Sequence, residues 1–174
     1  MRNVFCLPAA NDGPALQITR QPARGHAVLY IHGATFSAAL SVGYSIDGRS
    51  WMDDLNERGF DAWALDFAGY GGSDRSPTLG RALDVVLQIE RTVANIVEAT
   101  KRTRLAVIAH SWGTIPAAMF ASRHPNAVER LVLFGPVAER RLAERPPVHS
   151  GPTYLVTADD QWRAFQWGVP EGEL

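Results

Sequence analysis

One cysteine, Cys6, and one lysine, Lys101, stand in the 174 residues. A single thiol cannot close an intrachain disulfide, so nothing in the chain demands an oxidising compartment. No apolar run approaches the roughly 18–20 residues that a membrane span needs. The N-terminal apolar stretch is too short for a secretion signal and is interrupted at Asn11-Asp12-Gly13-Pro14. The default expectation is a cytoplasmic protein. Charge of one sign is lacking too: 17 basic residues face 18 acidic ones, for a formal net charge of −1. No basic face singles itself out, which argues against nucleic acid or an anionic membrane as partner. Repeats, low-complexity tracts and His/Cys/Asp clusters at metal-ligand spacing are also missing. What remains is ordinary for a globular domain, with 46% hydrophobic and 20% charged residues.

Short β-branched runs alternate with longer helical patterns, the pattern of a largely parallel sheet covered by helices. Strands are expected at Ala15–Arg20, with a weaker one at Asn3–Leu7, then at Ala27–Ile31, Asp61–Asp66, Leu105–Ala109 and Leu131–Phe134. The continuous apolar character of the four runs from Ala27–Ile31 onward marks strands buried on both faces. Helices are expected at Arg49–Arg58, at 81–100 and at Thr114–Arg123. The helix over 81–100 is the clearest, because Val85, Val86, Ile89, Val93, Ile96 and Val97 form one apolar stripe. Trp63 is expected in the core, and Cys6 is read as a small buried hydrophobe. Beyond Gly135-Pro136 the chain turns polar, rich in Arg and Glu, with Pro146, Pro147 and Pro152. Thr153–Thr157 reads as a fifth buried strand or as part of a cap, and 162–174 carries no complete helical pattern.

Chemistry concentrates in Ala109-His110-Ser111-Trp112-Gly113, where a strand passes into a helix with almost no linker. A serine at the apex of such a turn is strained, and its hydroxyl is lifted clear of the sheet. Strand and helix approach closely there, so the residues two before and two after must be small; Ala109 and Gly113 are. The helix after the turn points its first N–H groups at the site, which suits an oxyanion. A hydroxyl becomes a useful nucleophile only when a base takes its proton and donors await the charge. The backbone N–H of Trp112 is one expected donor. The rival reading is a serine that merely caps the following helix.

Three segments in this order resemble the α/β-hydrolase superfamily: His32-Gly33-Ala34-Thr35, the run Asp66-Phe67-Ala68-Gly69-Tyr70-Gly71-Gly72-Ser73-Asp74, and the serine turn. The resemblance spans 27–135 and implies a three-layer α/β sandwich with a mostly parallel sheet, incomplete at its C-terminus. It implies a second oxyanion donor from the N–H of Ala34, with Thr35 the alternative. His32 would shape that loop, and Asp66 and Asp74 would brace the loops around them. Ala109 stands where the family most often has glycine, as in some bacterial lipases. Relatives that open epoxides or remove halides use aspartate at the nucleophile position, so Ser111 disfavours those chemistries.

In this fold the order is serine, acid, histidine. Downstream of Ser111 only His124 and His149 occur. His124 lies past the nucleophile helix, roughly 18 Å from the turn at about 1.5 Å per residue, out of reach. Two readings stay open. Asp159 or Asp160, after a strand at Thr153–Thr157, is the acid. Alternatively, 137–174 begins a cap inserted after the core of 1–136, and the acid and base lie in sequence not present here. A rearranged site using His149 with Glu139 is a third. A polar cap carrying Trp162, Phe165 and Trp167 fits the second reading, with the chain a fragment or one half of a two-chain assembly.

The expected function is hydrolysis of a small carboxylic ester or related acyl compound, with Ser111 as nucleophile and no cofactor or metal. Phe36 and Trp51 are candidate pocket residues. Acyl transferases and cofactor-free perhydrolases share this fold and remain alternatives. So does a non-catalytic protein that binds a ligand, or a complementing chain or second copy along an open sheet edge.

Overall fold

The structure, a computed structural model, describes residues 1–10, 13–76, 80–137 and 156–166. Six strands form one mixed sheet: β1 (Asn3–Leu7), β2 (Leu16–Gln21), β3 (Ala27–Ile31), β4 (Asp61–Leu65), β5 (Leu105–His110) and β6 (Val128–Phe134), in the order β1-β2-β4-β3-β5-β6. The pairs β1/β2 and β2/β4 are antiparallel, whereas β4, β3, β5 and β6 run parallel to one another. Among the described residues four α-helices accompany them: α1 (Trp51–Glu57), α2 (Ala82–Thr100), α3 (Thr114–Arg123) and α4 (Ala158–Gln166).

Every residue of β3 and β4 is buried, as their continuous apolar character requires of central parallel strands. Successive side chains point to opposite faces. Leu29, Ile31, Trp63 and Leu65 therefore meet Val85, Val86, Ile89, Val93 and Ile96 of α2 and Ala117 and Phe120 of α3 in one cluster. Tyr30, Ala62 and Ala64 meet Met52 of α1 in a second, on the other face. The sheet is thus the middle of three layers, with its parallel strands all ending at one edge.

Local signals fix the helix ends. Ser50 and Asp53 form a reciprocal capping box at the start of α1. Past its end, Gly59 takes φ 88°, a conformation that glycine adopts without steric cost. Lys101 closes α2 in the left-handed region at φ 57°.

Four expectations need correction. Leu131–Phe134, expected to be buried on both faces, is exposed, because β6 is an edge strand of the sheet. Cys6 is exposed rather than buried, because β1 lies at the sheet's edge and the Cys6 side chain is left uncovered there. β6 begins at Val128, not Leu131; Glu129 is skipped in the pairing with β5 at an irregularity, which hides the strand's start from any alternation rule. Residues 158–166 form a helix, whose part from Trp162 to Gln166 falls in the stretch expected to complete none. Thr157 starts it, its hydroxyl and N–H both bonded to the Asp160 carboxylate. Of the strand expected at Thr153–Thr157, residues 153–155 lie outside the described residues, and Val156 and Thr157 are not in a strand.

Candidate active site

The parallel strands β3 and β5 deliver two loops to the same end of the sheet. β5 closes at His110, and Ser111–Gly113 form a short 3₁₀ turn that runs directly into α3. Ser111 has φ 50°, one of three non-glycine residues with positive φ among those described. A serine held there costs on the order of 1–2 kcal/mol, which the surrounding packing must supply. That packing is tight. A Cβ on Gly113 would lie 2.1 Å from the carbonyl oxygen of His32, and one on Gly33 would lie 3.1 Å from Cβ of Ser111. Ala109 is fully buried beneath the turn. Only small residues let the two loops approach this closely.

Thr114 ties the turn to the segment just past β6. Its hydroxyl donates to the Ser111 carbonyl at 2.6 Å and accepts from the Val137 N–H at 3.2 Å. Ser111 itself is half-buried, and among the described residues its hydroxyl has no hydrogen-bond partner. Trp112, second in the turn, has one of the leading N–H groups that no helical carbonyl can reach.

His32 is fully buried and uses both ring nitrogens. Nδ1 bonds the Gly33 carbonyl at 2.6 Å, and Nε2 accepts from the Phe67 N–H at 3.1 Å. The Phe67 donor assigns the tautomer, with the proton on Nδ1. Burial pushes its pKa down to about 4, against the opposing pull of the Gly33 bond and the Asp66 charge, so the ring is neutral near pH 7. It therefore joins the loop after β3 to the loop after β4. The Ala34 N–H has no acceptor among the described residues. Its carbonyl accepts a short hydrogen bond from the Tyr70 hydroxyl.

Asp66 and Asp74 sit in loop-holding positions. Buried Asp66 accepts from the Ala38 N–H at 2.7 Å and from Gln17 Nε2 at 2.9 Å. Gly71 must be glycine because a Cβ there would stand 1.9 Å from an Asp66 oxygen. Asp74 accepts from the Ala15 N–H at 2.8 Å.

A cavity of about 1270 Å³ opens beside this constellation, lined by Ala34, Phe36, Phe67, Tyr70, Gln88 and Trp112 among others. Val156 and Gln161, before and on α4, also line it. A separate cavity of about 220 Å³ lies on the α1 side against His110, Trp51 and Phe134. Phe36 and Trp51 thus border different cavities. Trp51 packs against Phe134 with ring centroids 6.0 Å apart, and Phe134 stacks on His110 at 5.1 Å.

The described histidines are engaged elsewhere or packed. His26 pairs with Glu129 at 3.1 Å, and His124 pairs with Glu90 at 2.8 Å at the far end of α3. Asp159 and Asp160 stand exposed in the first turn of α4, with Asp160 committed to Thr157. His149, Glu139, Glu144 and Trp167 lie outside the described residues. Among the described residues no group of three or more His, Cys, Asp or Glu could hold a metal, and no helix is long and apolar enough to cross a membrane.

Sequence reasoning did not single out Tyr70, Gln88 or Thr114. Tyr70 and Gln88 reach partners 36 and 20 residues away in the chain, and no local pattern announces such pairs.

A parallel-strand core with a positive-φ serine between strand and helix defines an α/β hydrolase. The chain belongs to that family: the family's alpha/beta hydrolase fold pattern matches residues 26–171. Epoxide hydrolase 3 of Xenopus tropicalis is 29% identical over an aligned length of 94, with 52% of this chain and 25% of that protein covered. Among solved structures, a carboxylesterase from Nitrososphaera gargenis superposes with a TM-score of 0.66 at 18% identity, over 80% of this chain and 48% of that one. An epoxide hydrolase from Vigna radiata superposes with a TM-score of 0.65 at 20% identity, over 83% and 42%. The chain spans a quarter of the curated relative and less than half of these two solved chains.

Proposed function

We propose that the chain supplies the nucleophile and oxyanion-binding half of a serine acyl hydrolase acting on a small carboxylic ester or related acyl substrate. The observation that carries this reading is Ser111 at φ 50°, between a loop whose Ala34 N–H has no acceptor among the described residues and the leading N–H groups of a helix. Ser111 Oγ attacks the acyl carbon and gives up its proton to a base. The carbonyl oxygen becomes an oxyanion held by the N–H groups of Trp112 and Ala34. The alcohol leaves with a proton, and water then cleaves the acyl-serine ester. The base this requires lies outside the described residues. Residues 137–174 are read as the start of a cap over the core, supported by Val156 and Gln161 lining the main cavity.

Similarity to epoxide hydrolases does not extend to their reaction, for a chemical reason. A carboxylate that opens an epoxide forms an ester, which water can cleave at its carbonyl. A serine would form an ether, and the oxyanion donors have no carbonyl there to act on. Turnover through Ser111 requires an acyl substrate. Incubation with a p-nitrophenyl ester and, separately, with styrene oxide tests this by intact mass and product release. Acylation by the ester with no adduct or diol from the epoxide is expected; diol formation that survives Ser111→Ala overturns the reading.

A second reading rests on β6. Val132 and Phe134 are 51% and 53% exposed on a strand at the sheet's edge. Such an edge suits pairing with a complementing chain or a second copy. Sedimentation over a concentration series tests self-association, which Val132→Lys is expected to abolish; a wild-type monomer at every concentration contradicts it.

A further inference from the structure

Gln88 is a buried amide with half of its hydrogen-bonding capacity unused. It stands on α2, is 6% exposed, and belongs to the face that otherwise buries Val85, Ile89 and Thr92. Its Oε1 accepts from the Ala68 N–H at 2.9 Å. That bond fixes which end of the amide is oxygen, so the two Nε2 protons point away from Ala68. Among the described residues Nε2 has no acceptor. It is not sealed in the core either, since among the described residues the fully buried side-chain atom without a partner is Trp63 Nε1. Gln88 lines the 1270 Å³ cavity together with Phe67, Tyr70, Trp112 and Ala34. The Phe67 ring meets Trp112 with centroids 6.1 Å apart, which links the Ala68 loop to the nucleophile turn.

A buried amide donor that faces a cavity without a protein acceptor is satisfied by water or by ligand. We infer that Gln88 is a substrate-binding residue whose side-chain amide donates to an oxygen acceptor, an ether or carbonyl, on the part of the substrate that lies along α2. This rests on the proposed nucleophilic role of Ser111. It goes further by naming a polar feature in the substrate at one place on a wall of mixed character, where Gln88 stands with Phe67, Tyr70 and Trp112. An all-hydrocarbon ligand would strip water from Nε2 and leave it unpaired, whereas an oxygen at that place replaces the water.

Two fluorophosphonate probes of equal length test the inference on the full chain, one with an alkyl tail and one with an ether and amide oxygen in the tail. The readout is the ratio of their labelling rates at Ser111, which cancels general effects of a variant on the nucleophile. One hydrogen bond changes such a ratio by roughly 2- to 10-fold. The wild type is expected to favour the oxygen-bearing probe by that factor. Gln88→Glu keeps an acceptor for the Ala68 N–H and removes the amide donor; Gln88→Met removes both. Both variants are expected to bring the ratio close to one. A ratio unchanged in both, even with a lower Tm, overturns the inference and leaves Gln88 as a brace for the Ala68 loop alone. Labelling by neither probe in the wild type overturns the nucleophile reading itself and this inference with it.

Discussion

The carbonyl oxygen of His32 occupies the space into which a side chain on Gly113 would grow, 2.1 Å from an ideal Cβ position. Gly113 has φ −59°, which any residue can adopt, so its identity is dictated by close approach and not by backbone freedom. The His32 loop and the turn at Ser111–Gly113 are pressed together at this point.

Gly113→Ala is therefore expected to destabilise the fold, by about 3 kcal/mol or more, because backbone meets backbone and no side chain can move aside. Thermal unfolding measures it. A melting temperature within a degree or two of wild type would contradict the packing described.

Tyr70 holds the Ala34 carbonyl, and with it the plane of the next peptide. Tyr70→Phe removes one hydrogen bond, worth about 0.5–1.5 kcal/mol, and frees the loop that offers the Ala34 N–H. The expected result is a several-fold slower reaction of Ser111 with an acylating agent and a small change in Tm. Unchanged acylation would show that the Ala34 loop is held by other means.

His32 gives the stability a pH dependence of definite sign. Its pKa is depressed in the fold to about 4 from an ordinary 6.5, so the unfolded chain takes up the proton first as pH falls. Stability is complete above the unfolded value and declines through that window, by up to ~1.4 kcal/mol per pH unit for one proton. Asp53 adds a second, lower window. The Ser50 hydroxyl, then Gln21, the Ser50 N–H and the Arg2 charge hold its pKa at about 2, below the usual 3.8. Denaturant unfolding at several pH values tests this: a decline beginning near pH 6.5 is expected in the wild type, and a flat profile down to pH 4 contradicts the buried neutral imidazole.

Much of this architecture was legible in the sequence because its signals are local. The runs at 27–31 and 61–65 are apolar without alternation, which only strands covered on both faces tolerate. The serine turn was legible for the same reason, since strand, small residues and helix lie within one short segment. The exposure of Cys6 was not, because the position of β1 at the sheet's edge is a property of topology. Nor was α4. Its mean character is polar, and its start depends on a cap between Thr157 and Asp160 that looks like an ordinary loop. The link from Tyr70 to Ala34 and the amide of Gln88 in the cavity arise only once distant loops are brought together by the parallel strands.

Ser111 as the reacting atom is the claim on which the functional account turns. Peptide mapping after treatment with a fluorophosphonate, alongside Ser111→Ala, measures it most directly. Oxyanion donors alone leave substantial residual reactivity even where a base is missing. One phosphonyl group on the peptide containing Ser111, lost in the alanine variant, is the predicted result. An unmodified Ser111, or adducts scattered over exposed serines equally in both proteins, would contradict it.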